Sequence, residues 1–286
     1  MAYLLAVSFL WAFSFGLIKG QLAGVDPVAV AAIRMALSVL VFIPLLRLRG
    51  IPAALMLRLA IIGAVQFGVM YMLYLSSYRF LQAYEVALFT VFTPLYIFLI
   101  DAIMERAWHP RFLAAALLAA VGAAIVLDTA SMTRAHWAGF LLIQGTNLCF
   151  AAGQLAWRRA HDSLKAIATD GRLFALPYLG ALLVCCLVSL FTTDWRTFNL
   201  SGTQMAAIAY LGVIPSGLCF FWWNIGAERV NAGTLAAMNN VKMPLAVLLA
   251  LTLFHEKADL ARLIIGGAII AAGIWVAEIG RERKGV

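Results

Sequence analysis

Residues 233–254 read GTLAAMNNVKMPLAVLLALTLF, a stretch long and apolar enough to cross a membrane as one helix. Lys242 lies near its middle, behind Asn239 and Asn240 and two residues before Pro244. A charge at that depth is costly, and the proline leaves the carbonyl four residues earlier without its helical hydrogen bond. We therefore expect a binding site for a polar solute at this point of a membrane-spanning helix.

The composition of the whole chain is that of a polytopic membrane protein. Hydrophobic residues make up 64% of the 286 residues and charged residues only 12%, and the mean hydropathy is +0.96. Soluble domains carry about 25% charged residues. The net charge of +8 resides in short connections, so it does not indicate nucleic-acid binding. The four cysteines lie in apolar segments and are interpreted as small hydrophobic residues, and we expect no metal and no cofactor.

Apolar stretches of about 20 residues, the length that spans a bilayer, recur along the chain. They predict an all-α fold of ten transmembrane helices, at residues 3–20, 27–46, 58–79, 83–104, 110–128, 136–157, 172–192, 204–226, 233–254 and 260–280. If the N-terminus is inside, the inner connections hold about twice as many Lys and Arg residues as the outer ones, which places both termini in the cytoplasm. The expected location is a bacterial-type inner membrane, and we expect a monomer, with a dimer as the alternative.

A weak internal repeat organises these spans. The spacing between Arg79 and Pro94 equals that between Arg229 and Pro244, at a shift of 150 residues. Matches of this kind place the first five spans over the last five in order, although apolar helices can also resemble one another by chance.

Two five-helix repeats would occupy residues 1–130 and 131–286. Because five is odd, the second repeat must be inverted in the membrane. Inverted repeats are typical of secondary transporters, whose site lies near the midplane between the repeats.

The motifs match a known family. Residues 8–16 read SFLWAFSFG, and the other matching residues are Lys19, Arg34, Pro94, Glu105, Pro244 and Glu256. With these residues the chain resembles the EamA-type branch of the drug/metabolite transporter superfamily over nearly its whole length. The resemblance implies ten spans in two inverted halves and transport, often outward, of amino acids, amines, carboxylates or other small metabolites. Lys242 and the asparagines before it are not a general feature of that family, so they point to this protein's own substrate.

Polar and aromatic residues at helical spacing mark the faces that would line a cavity. The candidate substrate-binding residues are Lys242, Asn239, Asn240, Asn147, Gln154, Tyr71, Tyr74, Asn224, Trp11 and Trp223. Lipid cannot satisfy amides, so Asn147 and Gln154 should face a cavity or bond to a neighbouring helix. Tyr71 and Tyr74 either line the cavity or pack, and Tyr78 on the same stripe fits an interfacial anchor.

Arg34 and Glu85 are candidates for coupling or gating, together with helix bends at Pro94 and Pro244. Arg34 and Glu85 both enter from the outer side, so we expect Arg34 to form a structural ion pair with Glu85 or to cap carbonyls, with substrate contact as the alternative. Glu85 is the candidate carboxylate if transport is coupled to protons or another ion. Lys242 is expected to meet an anionic group of the substrate, the alternative being a buried ion pair.

These features predict a secondary active transporter, working by alternating access with a central site between the repeats. Its partners are a small-molecule substrate and the lipid bilayer. The substrate class that fits Lys242 is an amino acid, a carboxylate or an amino-acid-derived compound such as an opine-type metallophore, and export is the expected direction. A membrane-embedded enzyme and a non-transporting membrane subunit are the alternatives. We do not expect an enzyme, because the sequence has no HExxH motif and no Asp pair in mid-span.

Overall fold

The computed structural model describes residues 2–105, 110–126, 133–164, 170–228 and 232–278. These residues form helices and connections, without strands. Six helical stretches within the described ranges are long and apolar enough to cross a membrane: Tyr3–Leu22, Pro27–Leu45, Ala53–Ser77, Ala83–Met104, Gly171–Thr192 and Gly202–Trp223. The all-α class is therefore confirmed for the described part of the chain, and the number of ten spans stays a prediction.

The helix bounds follow the apolar stretches of the sequence closely. The helices are α1 (Ala2–Leu22), α2 (Pro27–Phe42), α3 (Ala53–Gly63), α4 (Met70–Ser77), α5 (Ala83–Phe89), α6 (Thr93–Glu105), α7 (Pro110–Val126), α8 (Arg134–Leu164), α9 (Asp170–Leu173), α10 (Ala175–Thr192), α11 (Gly202–Leu211), α12 (Cys219–Glu228), α13 (Ala232–Thr252) and α14 (Leu260–Glu278). A first π segment (Ala64–Val69) joins α3 to α4, and a second π segment (Gly212–Leu218) joins α11 to α12. Short 3₁₀ turns, Ile43–Leu45 and Thr90–Phe92, follow α2 and α5.

Prolines coincide with three of these irregularities, and the first is Pro44 within the 3₁₀ turn Ile43–Leu45. Pro94 follows the 3₁₀ turn between α5 and α6, and Pro215 lies inside the second π segment. A proline lacks the N–H that would continue the α-helical ladder, which is the physical reason for a departure at these points. By contrast, α13 is continuous through Pro244, which lies on an exposed face of the helix.

Helices of the first half of the chain pack against helices of the second half. α1 packs against α12 and α13, and α8 packs against α4 and α6. Similarly, α2 packs against the second π segment and α10 against the first, while α7 and α14 pack against each other. A two-fold relation between the halves would also place helices of the two halves in contact, and the repeat itself stays a prediction.

Glycines allow neighbouring helices to touch backbone to backbone. A Cβ atom on Gly180 of α10 would lie 1.9 Å from the carbonyl oxygen of Ala60, and one on Gly63 would lie 1.9 Å from that of Pro177. Small residues at such positions stabilise membrane helix pairs through close packing. The contact between α3 and α10 therefore depends on having no side chain at either glycine.

We expect Gly180→Ala to destabilise the protein, because the added methyl group overlaps a backbone atom that cannot move aside. Overpacking of this kind costs about 1–3 kcal/mol. The apparent melting temperature of the purified protein in detergent should fall by several degrees. Gly24→Ala is the matched control, since nothing lies within 4 Å of its Cβ position. Equal melting temperatures for the two variants would contradict the packing described for α3 and α10.

Candidate functional site

A cavity of about 100 Å³ lies among helices from both halves of the chain. Residues of α1, α2, α4, α8, α12, α13, the second π segment and the break between α5 and α6 line it. Much of the lining is apolar or aromatic, from Phe15, Ile18, Met70, Phe150 and Phe220. Two cations, Arg34 and Lys242, also reach it.

Arg34 of α2 is held in a fixed orientation. Its side chain is 1% exposed, and Nε and Nη2 donate to Ser216 Oγ at 3.1 and 2.9 Å. The guanidinium carbon lies 4.3 Å from the centroid of the Tyr71 ring. Nη1 is buried and has no hydrogen-bond partner among the described residues. The hydrogens of Nη1 are therefore available to an anionic group in the cavity.

Ser216 occupies this position because the second π segment widens the helix there. The Ser216 hydroxyl accepts from Arg34 and donates to the Tyr71 hydroxyl at 3.2 Å. Carbonyls of the same segment accept side-chain donors from other helices: Tyr178 donates to Ser216 O, Ser38 to Gly212 O at 2.9 Å, and Trp11 Nε1 to Pro215 O at 3.0 Å. Irregular backbone at membrane depth needs such partners, since lipid supplies none.

Lys242 of α13 lies over an aromatic side chain. Its Nζ is 4.9 Å from the centroid of the Trp11 ring, within range of a cation–π interaction. Trp11 is fixed by its bond to Pro215 and by ring contacts to Phe220 and Trp223, at centroid distances of 5.0 and 5.2 Å. The ammonium group and the indole therefore form one rigidly supported part of the cavity lining.

Asn147 of α8 stabilises the break between α5 and α6. Its Nδ2 donates to Phe89 O at 2.8 Å, and Thr93 Oγ1 lies 3.0 Å from its Oδ1. The carbonyl of Phe89 immediately precedes the 3₁₀ turn, where the regular helical ladder is interrupted. Asn147 thus replaces a missing backbone donor and lines the cavity as well.

The structure brings several of the predicted residues together. Those that line the cavity are Lys242, Trp11, Arg34, Tyr71, Tyr74 and Asn147. Trp223 is buried behind Trp11 beside Cys219, and Gln154 is half-buried further along α8, away from the cavity lining. The side chains of Asn224, Asn239 and Asn240 lie outside the described residues.

The expected ion pair between Arg34 and Glu85 does not form. Glu85 Oε2 instead accepts from the backbone N–H of Gln82 at 2.8 Å and caps α5, while Arg34 is held by Ser216. Glu256 completes the cap by accepting from Ala83 N at 2.8 Å and Tyr84 N at 3.1 Å. The first N–H groups of a helix have no partner within it, so they attract carboxylates more readily than a distant guanidinium does.

The interpretation of Tyr78 as an interfacial anchor is wrong. Its side chain is 1% exposed, and its hydroxyl lies 2.7 Å from that of Tyr74. The carbonyl of Tyr78 accepts from Lys19 Nζ at 3.0 Å. Tyr78 is therefore part of the buried polar layer beside the cavity, which its position near the end of a span could not reveal.

Sequence reasoning missed the hydroxyl residues of the cavity. Ser14, Thr90, Thr93 and Thr146 line it, and Ser216 orients Arg34. The available signal was proximity to proline, since Thr93 precedes Pro94 and Ser216 follows Pro215. Hydroxyl residues are common in membrane helices, so this signal alone does not single them out.

The chain matches the EamA-like transporter family over residues 1–128 and 137–278. The chain belongs to this family. The sequence resemblance is thereby confirmed, and the helical stretches long and apolar enough to cross a membrane agree with a family of transporters.

This EamA-like protein has relatives with named functions. It is 40% identical over 283 residues to the "Probable biotin transporter" of Pseudomonas aeruginosa, covering 99% of both chains. It is 38% identical over 278 residues to the "Biotin transporter" of Salmonella typhimurium, covering 96% of this chain and 92% of the relative. It is 26% identical over 217 residues to the aromatic amino acid exporter YddG of Ancylobacter novellus, covering 73% and 72%. A solved crystal structure, 21% identical, shares the fold with a TM-score of 0.66 over 96% of this chain and 95% of that one.

Within this EamA-like fold, we expect Ser216→Ala to lower stability more than loss of an ordinary buried serine. The change removes the acceptor of Arg34 Nε and Nη2, in addition to Nη1, which already has none among the described residues. A buried donor without an acceptor costs about 1–3 kcal/mol, and a charged donor costs more. Ser189→Ala is the control, because Ser189 is buried and its hydroxyl donates to Cys186 O of its own helix. Thermal melting in detergent measures both variants, and equal losses would show that Ser216 does not hold the guanidinium.

Proposed function

We propose that this protein is a secondary active transporter of biotin. The proposal is supported by relatives named for biotin transport that are 38–40% identical over nearly the full chain. The observation that carries it is the spare Nη1 of Arg34 in a cavity that Lys242 and aromatic side chains also line. Biotin carries a carboxylate, an apolar chain and a polar cyclic urea, and the cavity offers a counterpart to each.

The carboxylate would bind between the two cations. The planar guanidinium of Arg34 suits a carboxylate, and Nη1 can donate to an oxygen of the anion. A buried charge is costly unless it is paired, so a bound carboxylate stabilises the guanidinium while the guanidinium stabilises the carboxylate. Lys242 adds a second positive charge from the other half of the chain.

The apolar chain would pack on the aromatic part of the lining. Trp11, Phe150 and Phe220 come from three different helices and surround the same space. Such rings offer large contact area with little loss of side-chain freedom, which suits an apolar chain.

An amino acid with an aromatic side chain is the second candidate, favoured by the aromatic lining and by the similarity to an aromatic amino acid exporter. The ammonium and carboxylate groups of an amino acid are attached to the same carbon atom. A bound carboxylate would therefore bring the ammonium group near Arg34 and Lys242. Like charges in a buried site repel strongly. Biotin has no such group, and for this reason it is the preferred substrate.

The proposed mechanism is alternating access. Ten spans would form two inverted repeats, residues 1–130 and 131–286, with the substrate between them. Glu256, which lies between α13 and α14 in the second predicted repeat, caps α5 of the first, which would close one side of the cavity. Movement of one repeat against the other would open it, and outward transport and coupling to an ion stay predictions from the family resemblance.

Flux of labelled biotin into and out of proteoliposomes tests the proposal. Lys242→Ala should raise the KM for biotin about 10-fold or more, because a hydrogen bond to a charged group contributes about 1.5–3 kcal/mol. Lys257→Ala removes the same charge from an exposed position and should transport normally. No biotin flux through the wild-type protein would refute the function, and a wild-type KM in Lys242→Ala would refute the charge contact.

The predicted topology has a separate test. Green fluorescent protein fused after Val286 should fluoresce, because it folds in the cytoplasm, whereas alkaline phosphatase fused there should be inactive. The charge bias of the connections is the physical reason. An active phosphatase fusion would reverse the proposed orientation.

A further inference from the structure

We propose that the cavity sorts hydrogen-bonding groups by type. One part of the lining can only accept hydrogen bonds, and another part supplies hydrogens. The substrates selected would be monocarboxylates whose other end carries N–H donors, such as a cyclic urea. This inference rests on the proposed function and names the chemical requirement that the same site imposes on its substrates.

The accepting part, which we term the acceptor wall, consists of Thr90, Thr93, Thr146 and Asn147. Each threonine hydroxyl has an acceptor within the protein for its hydrogen: Thr90 has Ala87 O at 2.7 Å and Met243 Sδ at 3.1 Å, Thr93 has Thr90 O at 2.7 Å and Asn147 Oδ1 at 3.0 Å, and Thr146 has Leu142 O at 2.9 Å. A hydroxyl has one hydrogen and two lone pairs. With the hydrogen engaged, only lone pairs remain for a ligand.

Asn147 is limited in the same way. Its amide nitrogen has two hydrogens, and their acceptors are Phe89 O at 2.8 Å and Gln144 Oε1 at 3.4 Å. Ser14 of α1, which also lines the cavity, donates its hydrogen to Leu10 O at 2.7 Å. The polar atoms that these residues can turn toward a ligand are therefore acceptors.

The donating part, which we term the donor wall, consists of Arg34, Tyr71 and Lys242. Nη1 of Arg34 has no acceptor among the described residues, and an ammonium group can only donate. The Tyr71 hydroxyl accepts from Ser216 and can donate its own hydrogen into the cavity. Trp11 adds no donor, because Pro215 O already accepts its indole N–H.

The division has a direct consequence for selectivity. A carboxylate on the donor wall finds hydrogen-bond donors. A second carboxylate on the acceptor wall would face only lone pairs, so it would lose its hydrogen bonds to water without gaining any from the protein. An apolar head group leaves the acceptors unpaired, which also weakens binding. A ureido group carries two N–H donors and satisfies the acceptor wall.

Competition with labelled biotin in proteoliposomes containing the full chain tests this requirement. Desthiobiotin keeps the carboxylate and the cyclic urea, and it should compete within a few-fold of biotin. Lipoate keeps the carboxylate and the pentanoate chain but has no N–H group, and nonanedioate has a carboxylate at both ends. Both should compete about 10-fold or more weakly than desthiobiotin, the cost of one unmade buried hydrogen bond.

Two substitutions locate the effect on the acceptor wall. Thr90→Val and Thr146→Val replace a hydroxyl with a methyl group of the same shape. Each should weaken biotin about 10-fold while leaving lipoate unchanged, so the preference between the two ligands shrinks. Thr252→Val is the matched control, because Thr252 is exposed at the end of α13 and bonds back to Leu248 O at 2.7 Å.

The outcomes separate the two proposals. If biotin is transported but lipoate competes as well as desthiobiotin, the sorting of hydrogen-bonding groups is wrong and the transport function stands. If both threonine variants keep the wild-type preference, the acceptor wall has been placed on the wrong residues and the inference fails. If biotin shows neither flux nor a thermal shift with the wild-type protein, the proposed function fails and this inference fails with it.

Discussion

The guanidinium group of Arg34 is 1% exposed, and its need for hydrogen-bond acceptors constrains how the surrounding helices pack. A buried guanidinium is costly to leave without hydrogen bonds, so the hydrogens of Arg34 must find acceptors within the bundle. Ser216 supplies one, and it can do so because the second π segment turns its hydroxyl toward α2. The arrangement joins the second span to the eighth predicted span, and it leaves Nη1 as the nitrogen that we propose binds the anion.

The same logic governs the backbone around the cavity. Lipid offers no hydrogen bonds, so each irregular carbonyl must be met by a side chain. Tyr178, Ser38 and Trp11 serve the second π segment, and Asn147 serves Phe89 at the break between α5 and α6. The donors and acceptors that remain after these requirements are met are the ones a substrate can use. The specificity we propose is thus a by-product of how the fold satisfies its own polar groups.

The two halves contribute unequally to the site. Arg34 comes from the first half and Lys242 from the second, so an anion bound between them would connect the halves. The residue that corresponds to Lys242 at the shift of 150 is Phe92, which is buried in the 3₁₀ turn outside the cavity lining. Within the predicted two-fold repeat, the chemistry of the cavity would therefore not be two-fold, as an asymmetric substrate requires.

The positions of the helices and of the most conspicuous polar residues could be predicted from the amino-acid sequence. Apolar length is a local property, so predicted starts at residues 83, 110 and 260 coincide with those of α5, α7 and α14. Lys242 and Asn147 were also recognisable, because a charge or an amide inside an apolar stretch is costly wherever it points.

The partners of these residues depend on how distant segments pack, and the sequence did not reveal them. Arg34 and Ser216 are 182 residues apart, Gln154 lies away from the cavity, and Tyr78 is buried rather than interfacial. The sequence did not indicate that Thr90 and Thr146 line the cavity. A threonine hydroxyl can donate to a backbone carbonyl of its own helix, so a threonine is tolerated on any face of a membrane helix. Which of its faces a helix turns inward depends on packing against distant segments, and spacing along one segment does not contain that information.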